Sequence, residues 1–311
     1  MSMSTGAPAG PKNANTPALG RKFIAELAGV ERVAGAFSIA NAQLGKTRND
    51  KPYLRCLLGD KTGEMPGRMW SIDESTFRRL PTDGFVWVEG ETQPYQGELQ
   101  FIIHPIGPIE PTPDQMRDLL PCSKRPAAEM FAELLELINT LTHPAMKALA
   151  KAYLDDAFLM DAFRQCPAAK SMHHAYLGGL LEHTVAVATL AVEACALHVR
   201  LNSDLLITAA LLHDLGKTEE FTYGAEIGLT EEGRLLGHIP LGVRLIEARA
   251  EGMDPARRAA LIHCVLCHHG PDAAPGRRYG SPEALALHRL NALDASVKGA
   301  LEHGLGLADG H

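Results

Sequence analysis

Aromatic residues make up only 5% of this 311-residue, 33.5 kDa chain, and just two of them are tryptophans. No uncharged apolar run reaches the ~18 residues that a membrane-spanning helix needs, and mean hydropathy is −0.06. The sequence therefore predicts no transmembrane helix and no membrane partner. Cysteine is scarce: six, at 56, 122, 166, 195, 264 and 267, which excludes a disulfide-dense scaffold. The opening stretch, Met1 to Pro17, is rich in Ala, Gly, Pro, Ser and Asn but lacks the apolar core of a signal peptide. It reads as a disordered tail over 1–18, on a cytoplasmic protein with free thiols. Nor is there an excess of basic charge. Lys and Arg number 30 against 37 Asp and Glu, a net charge of −7, which excludes a strongly basic nucleic-acid protein but not a local basic groove. Residues 1–110 hold 12 of each sign, so the acidic excess lies wholly beyond them.

What is present is enough apolar residue, 46%, for about two domains. Residues 19–110 read as five short strands, Glu31–Asn41, Tyr53–Gly59, Gly67–Ser71, Phe85–Glu91 and Leu99–Pro105, with turn residues at Asn49-Asp50, Asp60-Lys61-Thr62-Gly63 and Gln96-Gly97. With one small helix near Asp73–Leu80, this pattern predicts a small closed β-barrel. A Pro-rich joint, Pro105 to Pro113, follows. Thr112-Pro113-Asp114-Gln115 then has the form of a helix start with a capping box, and residues 111–311 read as helical almost to the end. Ser203, Thr230, Asp254 and Ser281 are the expected caps of later helices, and Gly216 is the expected stop of the one that Ser203 opens. The fold class expected is thus α+β multidomain, barrel first and helical bundle second.

Histidine is unevenly spread: 12 of 14 fall at or after His173. The strongest local signal is Leu211-Leu212-His213-Asp214-Leu215-Gly216-Lys217, where a His-Asp pair ends an apolar helix and is expensive to bury without a compensating cation. His183, His238, the pair His268-His269 and Asp294 each sit in an apolar context on a separate expected helix. Imidazole and carboxylate suit first-row divalent ions, and such a set could hold one or two of them inside a bundle. Asp214 is the natural bridge, having two oxygens. The ordered pattern His183, His213-Asp214, Asp294 with its trailing Gly-Lys resembles the HD-domain metal-dependent phosphohydrolases over residues 140–305. The resemblance implies an all-α HD domain and metal-assisted hydrolysis, in which a bound water's pKa falls towards about 7. Ligation is expected from His183, His213, Asp214 and Asp294 at one ion, and from Asp214, His238 and His268 or His269 at a second. Mn²⁺ is the first expectation, with Fe²⁺, Zn²⁺ and Mg²⁺ as alternatives. Asp214 and Lys217 are the candidate catalytic residues, Lys217 as a fixed cation for a phosphate oxygen or else a solvated lysine at a helix end. Cys264-Val265-Leu266-Cys267-His268 matches a haem-attachment motif, but the missing export signal and the need for His268 in the cluster argue against haem.

In the barrel region Lys46, Arg48, Lys51 and Arg55 stand against Asp50 alone, a local charge of +3. Tyr53, Trp70 and Tyr95, with Arg68 beside them, offer rings and a cation to a single strand, although Trp70 taken alone reads more readily as a barrel filler with Phe101. The basic turn, the Asp-x-Thr-Gly hairpin and the Arg-x-Trp strand resemble nucleic-acid-binding OB-folds over residues 25–108. The order of an OB-fold before an HD domain, with His173-His174-Ala175-Tyr176-Leu177-Gly178-Gly179-Leu180 and Gly237-His238-Ile239-Pro240, is similar to the YhaM-type 3′→5′ exoribonucleases. That resemblance implies a barrel feeding single-stranded RNA or DNA to a manganese-dependent phosphodiesterase. A hydrolase of a small nucleotide (a dNTP, cyclic nucleotide or alarmone) with a regulatory barrel is the alternative. A non-enzymatic RNA-binding module is a third reading, disfavoured by the complete ligand set, and the sequence leaves a homo-oligomer open.

Overall fold

The structure is a computed structural model that describes residues 22–170, 174–224, 227–273, 276 and 278–304. The expected tail over 1–18 lies outside them, as does His173. The chain separates between Gln115 and Met116 into two compact units.

The first unit is a closed five-stranded barrel of OB-fold topology: β1 (Arg32–Lys46), β2 (Pro52–Asp60), β3 (Gly63–Trp70), β4 (Gly84–Tyr95) and β5 (Glu98–Pro108), in the order β1-β2-β3-β5-β4. β1 pairs antiparallel with both β2 and β4, and a short parallel contact of β3 with β5, Gly67 opposite Phe101, completes the ring. Alternation fills the interior. Phe37, Ile39, Leu54, Leu58, Val86, Val88, Phe101 and Ile103 point inward, with Phe37 and Phe101 edge-on at 6.0 Å. The Asp60 turn forms as its sequence directs: Oδ1 accepts from the Thr62 amide at 2.7 Å and from its hydroxyl at 2.6 Å. Asp73 caps α1 (Glu74–Arg79) by accepting from the Thr76 amide. Trp70 is not a barrel filler. It sits outside, 47% exposed, its ring 5.4 Å from that of Tyr53, because Leu54 and Met69, one residue away on each strand, take the neighbouring positions of the pleat.

The division falls within α2 (Pro113–Leu119), and the second unit holds α3 (Ala127–Asn139), α4 (Pro144–Leu154), α5 (Ala157–Gln165), α6 (Gly179–Leu197), α7 (Ser203–Leu212), α8 (Lys217–Glu220), α9 (Glu231–Leu236), α10 (His238–Arg249), α11 (Pro255–Cys267) and α12 (Pro282–His303). Thr112 and Gln115 exchange the two hydrogen bonds of the expected capping box. Thr230, Asp254 and Ser281 cap as expected. α7 departs from expectation: Asn202 is its cap, accepting from the Leu205 amide, and regular helix stops at Leu212. A two-stranded hairpin, β6 (Phe221–Tyr223) with β7 (Ile227–Leu229), also interrupts a stretch expected to be helical. α6 is long and apolar enough to cross a membrane by length and composition, but half of that span is buried in the unit. Leu180, Leu181, Val185, Val187, Ala188 and Ala191 pack into the same core as Leu206, Ala209 and Ala210 of α7.

Candidate metal centre

Four elements deliver imidazoles to one place. His183 lies one turn into α6, and His213 ends α7 with Asp214 next to it; all three are buried. His238 opens α10, and His268 and His269 follow the end of α11. Two helices reach this point because of glycine: a Cβ on Gly216 would lie 2.0 Å from the His238 carbonyl oxygen and 2.4 Å from the Gly242 amide nitrogen. Only a residue without a side chain lets the end of the His-Asp segment touch α10 so closely.

The outward nitrogens are engaged by acceptors. Nδ1 of His213 meets the Ala210 carbonyl at 2.9 Å, and Nδ1 of His268 meets the Val265 carbonyl at 2.6 Å. Nδ1 of His238 faces the Glu220 carboxylate at 3.3 Å, and Nδ1 of His183 faces Asp294 Oδ2 at 2.6 Å. Each acceptor fixes a proton on Nδ1 and leaves a lone pair on Nε2. Those four Nε2 atoms turn inward. His183 Nε2 is 3.2 Å from His213 Nε2 and 3.5 Å from Asp214 Oδ2, and His213 Nε2 is 3.3 Å from that oxygen. On the other side, His238 and His268 present Nε2 at 3.4 and 3.3 Å from Asp214 Oδ1, and His269 Nε2 lies 3.0 Å from His238 Nε2. Acceptors thus face acceptors at about 3 Å.

The electrostatics agree. Asp214 Oδ1 is buried with no hydrogen-bond partner. Burial would raise the Asp214 carboxyl, but Lys217, with Nζ 2.7 Å from Oδ2, and His213 outweigh it and hold the group well below the usual range. Burial depresses His268 to about 4 despite the pull of Asp214, so its ring is neutral near pH 7. An orphaned carboxylate oxygen inside a ring of imidazole nitrogens is a donor set for a divalent cation. His183, His213 and Asp214 form one cluster of suitable spacing, and Asp214, His238, His268 and His269 another. Asp214 belongs to both, one oxygen to each.

Asp294, expected with His183, His213 and Asp214, lies against His183 and forms a third cluster of suitable spacing with His174 and His183. Asn291, one turn earlier in α12, reaches the same ring, its Oδ1 2.9 Å from His183 Nε2 and its amide donating to the His268 carbonyl at 3.2 Å. Asn291 and Glu220 were not singled out in the sequence, since a lone polar residue on a helix carries no signal until its neighbour is known. The Cys264 and Cys267 thiols are buried, and burial pushes Cys264 up to about 12, which makes it a poor thiolate ligand.

On the barrel, Arg55 stands opposite Arg68 and Tyr53 opposite Trp70 on the outer face of β2 and β3. The Arg68 guanidinium lies over the Tyr95 ring at 5.2 Å, and Arg55 donates to Gln43 Oε1 at 3.0 Å. Lys46, Arg48 and Lys51 are exposed around the β1–β2 turn, Lys46 paired with Asp50 at 3.0 Å. Cations and rings alternate along one strip.

The HD-domain family model matches residues 180–296. A protein of Listeria innocua named 3′-5′ exoribonuclease YhaM is 31% identical over 272 residues, covering 83% of each chain. One of the same name from a Geobacillus species is 32% identical over 86% of this chain and 83% of its own. Among solved structures, the second OB-fold domain of replication protein A from Methanococcus maripaludis matches at 18% identity, over 30% of this chain and 97% of that one, with a TM-score of 0.24.

Proposed function

Because the chain belongs to the YhaM family and carries an HD domain, it is a metal-dependent phosphohydrolase, and we propose that it shortens single-stranded RNA from the 3′ end. The observation that supports this most is the inward convergence of lone pairs on Asp214. We assign His183, His213 and Asp214 to one divalent ion, and Asp214, His238, His268 and His269 to a second. Asp294, 2.6 Å from His183 Nδ1, belongs with the first ion, and Glu220 serves the second by accepting a hydrogen bond from His238. Mn²⁺ fits a set that mixes imidazole with carboxylate oxygen, with Fe²⁺, Zn²⁺ and Mg²⁺ as the alternatives. When bound, such ions supply an activated water and positive charge for the phosphate.

The chain's own groups supply the rest. Asp214 stays ionised because Lys217 neutralises it, and an ammonium has three donors, of which the carboxylate uses one. Lys217 therefore has a donor to offer a phosphate oxygen. His269 is exposed while His268 is buried, so the cluster opens to solvent on the His269 side, where a chain end would enter. In the barrel, Lys46, Arg48, Lys51, Arg55 and Arg68 would track phosphates while Tyr53, Trp70 and Tyr95 stack bases. The setting is a cytoplasmic enzyme.

The test is incubation with Mn²⁺ and 5′-labelled single-stranded RNA, in parallel with single-stranded DNA, dNTPs and cyclic nucleotides, for the wild type and Asp214→Ala. The expected result is a ladder receding from the 3′ end, at least about 10³-fold slower in the variant. Nucleoside release from a dNTP with RNA untouched would sink the proposal.

A further inference from the structure

We infer that the barrel carries a guanine-selective pocket at one end of its strip of rings and cations, in which Glu98 and Arg68 read two edges of a single base and Gln100 forms the floor. The strand register builds it. Residues directly opposite in an antiparallel pair share a face, so the pairs Gln93 with Gln100 and Tyr95 with Glu98 set four side chains on one side of the β4–β5 hairpin. Phe101 and Ile103, the alternate residues of β5, fill the barrel, so that side is the outer one. β3 joins it from the other direction: Gly67 stands opposite Phe101, which leaves Arg68 on the outer face, its guanidinium over the Tyr95 ring at 5.2 Å. Between these groups lies a groove of about 340 Å³, with Pro66 and Leu99 as its apolar sides, within the size range of small-ligand pockets.

The chemistry of the lining selects the occupant. Glu98 in the groove repels a phosphate, whereas a base is apolar on its faces and polar on its edges. Gln100 faces outward on its strand and is nevertheless only 7% exposed. Its side-chain partner is Gln93, Nε2 to Oε1 at 3.5 Å, longer than the roughly 2.7–3.2 Å of a well-made N–H···O bond. A primary amide has two donors and an acceptor with two lone pairs, so this enclosed group keeps capacity for a ligand in the groove. The carboxylate then distinguishes among bases. Its two oxygens only accept, and guanine alone sets two N–H donors, N1–H and N2–H, side by side on one edge. Adenine and cytosine would turn a ring-nitrogen lone pair towards the second oxygen, and uracil a carbonyl. Guanine's other edge carries O6 and N7, the acceptor pair that an arginine fork matches. Arg68 has five N–H donors, enough for this edge and for a neighbouring phosphate, and its stack on Tyr95 gives the base a flat wall.

The proposal rests on the reading of the barrel strip as a path for single-stranded RNA, and its test reads binding, not turnover. Full-length protein, with a chelator present to prevent hydrolysis, is titrated by fluorescence anisotropy against labelled oligouridylates about 12 nucleotides long. One strand is all uridine, and the others carry a single central guanosine, inosine or adenosine. The guanosine strand should bind about tenfold or more tighter than the all-uridine strand, with inosine, which lacks the 2-amino group, in between and adenosine no better than uridine. Glu98→Gln should erase the advantage of guanosine over inosine while leaving the all-uridine affinity within about threefold, which shows the barrel intact. Gln100→Leu, read against the same all-uridine control, should weaken the guanosine strand alone. Equal affinity for all four strands overturns the proposal, as does a preference for adenosine. So does a guanosine advantage that survives Glu98→Gln unchanged. Failure of every strand to bind overturns the RNA-path reading itself.

Discussion

At the scale of single residues, the site is a division of labour between the two nitrogens of each ring. The inner Nε2 atoms face Asp214 and the outer Nδ1 atoms meet Asp294, Glu220 and two carbonyls. The inner set was legible in the sequence, because His and Asp in apolar helices are chemically conspicuous. The outer set was not: Glu220, Asn291 and two backbone oxygens look ordinary until the fold brings them to a ring. Burial also gives the site a pH dependence of stability. His268 holds its proton only below about pH 4 when folded and near the ordinary 6.5 when unfolded. Between those values the unfolded chain binds more protons, so stability falls as pH falls from about 6.5 to 4. Asp214 and Asp294, both depressed in the fold, withdraw their own contributions only below the ordinary carboxylate range. Denaturant unfolding of metal-free protein should show a loss of about 2 kcal/mol from His268 between pH 7 and pH 5, to which His269, also depressed by burial, to about 3, adds in the same direction. His268→Gln should reduce that slope without abolishing it, and an unchanged slope would remove His268 as a source.

At the scale of elements, capping residues announced most helix starts, and where α7 was misjudged the error was one residue at the cap and a few at its end. Asn202 is as good an acceptor as Ser203, and the His-Asp turn leaves the helix before Gly216. The β6–β7 hairpin was missed for a different reason: strands of three residues are too short for a period of two to stand apart from a helical pattern. Gly216 has a sharper meaning than a helix stop. Its missing Cβ lets α10 bring His238 against Asp214, so Gly216→Ala should force backbone apart, destabilise the unit by about 1–3 kcal/mol, and weaken the His238 side of the cluster first. Thermal melts with Mn²⁺ titration would show this as a lower midpoint and one weakened class of ion. Gly107→Ala, where a Cβ meets nothing within 4 Å, is the matching control and should melt like wild type. Equal behaviour of the two variants would mean that close packing at Gly216 does not position His238.

At the scale of the whole molecule, the order of barrel and helical bundle was legible because the two use different hydrophobic periods and meet at a Pro-rich joint. What the barrel's outer strip does was less so, since Trp70 in isolation looks like core and only the register opposite Tyr53 shows it facing out. If the strip carries RNA, its contribution separates from the chemistry by substrate size. Stacking is worth about 1–3 kcal/mol per base, so Trp70→Ala should raise KM for a single-stranded RNA about tenfold or more while kcat changes little. The same variant should hydrolyse a small phosphodiester, which offers no run of bases to stack, at the wild-type rate. Lys46, Arg48 and Lys51 make a second, independent demand. Each phosphate contact on a single strand contributes about 0.7 to the slope of log affinity against log salt, so neutralising all three should lower that slope by up to about 2. Trp70→Ala should leave the slope as it is, because stacking releases no counterions. A triple variant with wild-type salt dependence would mean that the basic turn is merely solvated, and a Trp70→Ala enzyme that loses small-substrate turnover would mean that the ring supports the fold and not the strand.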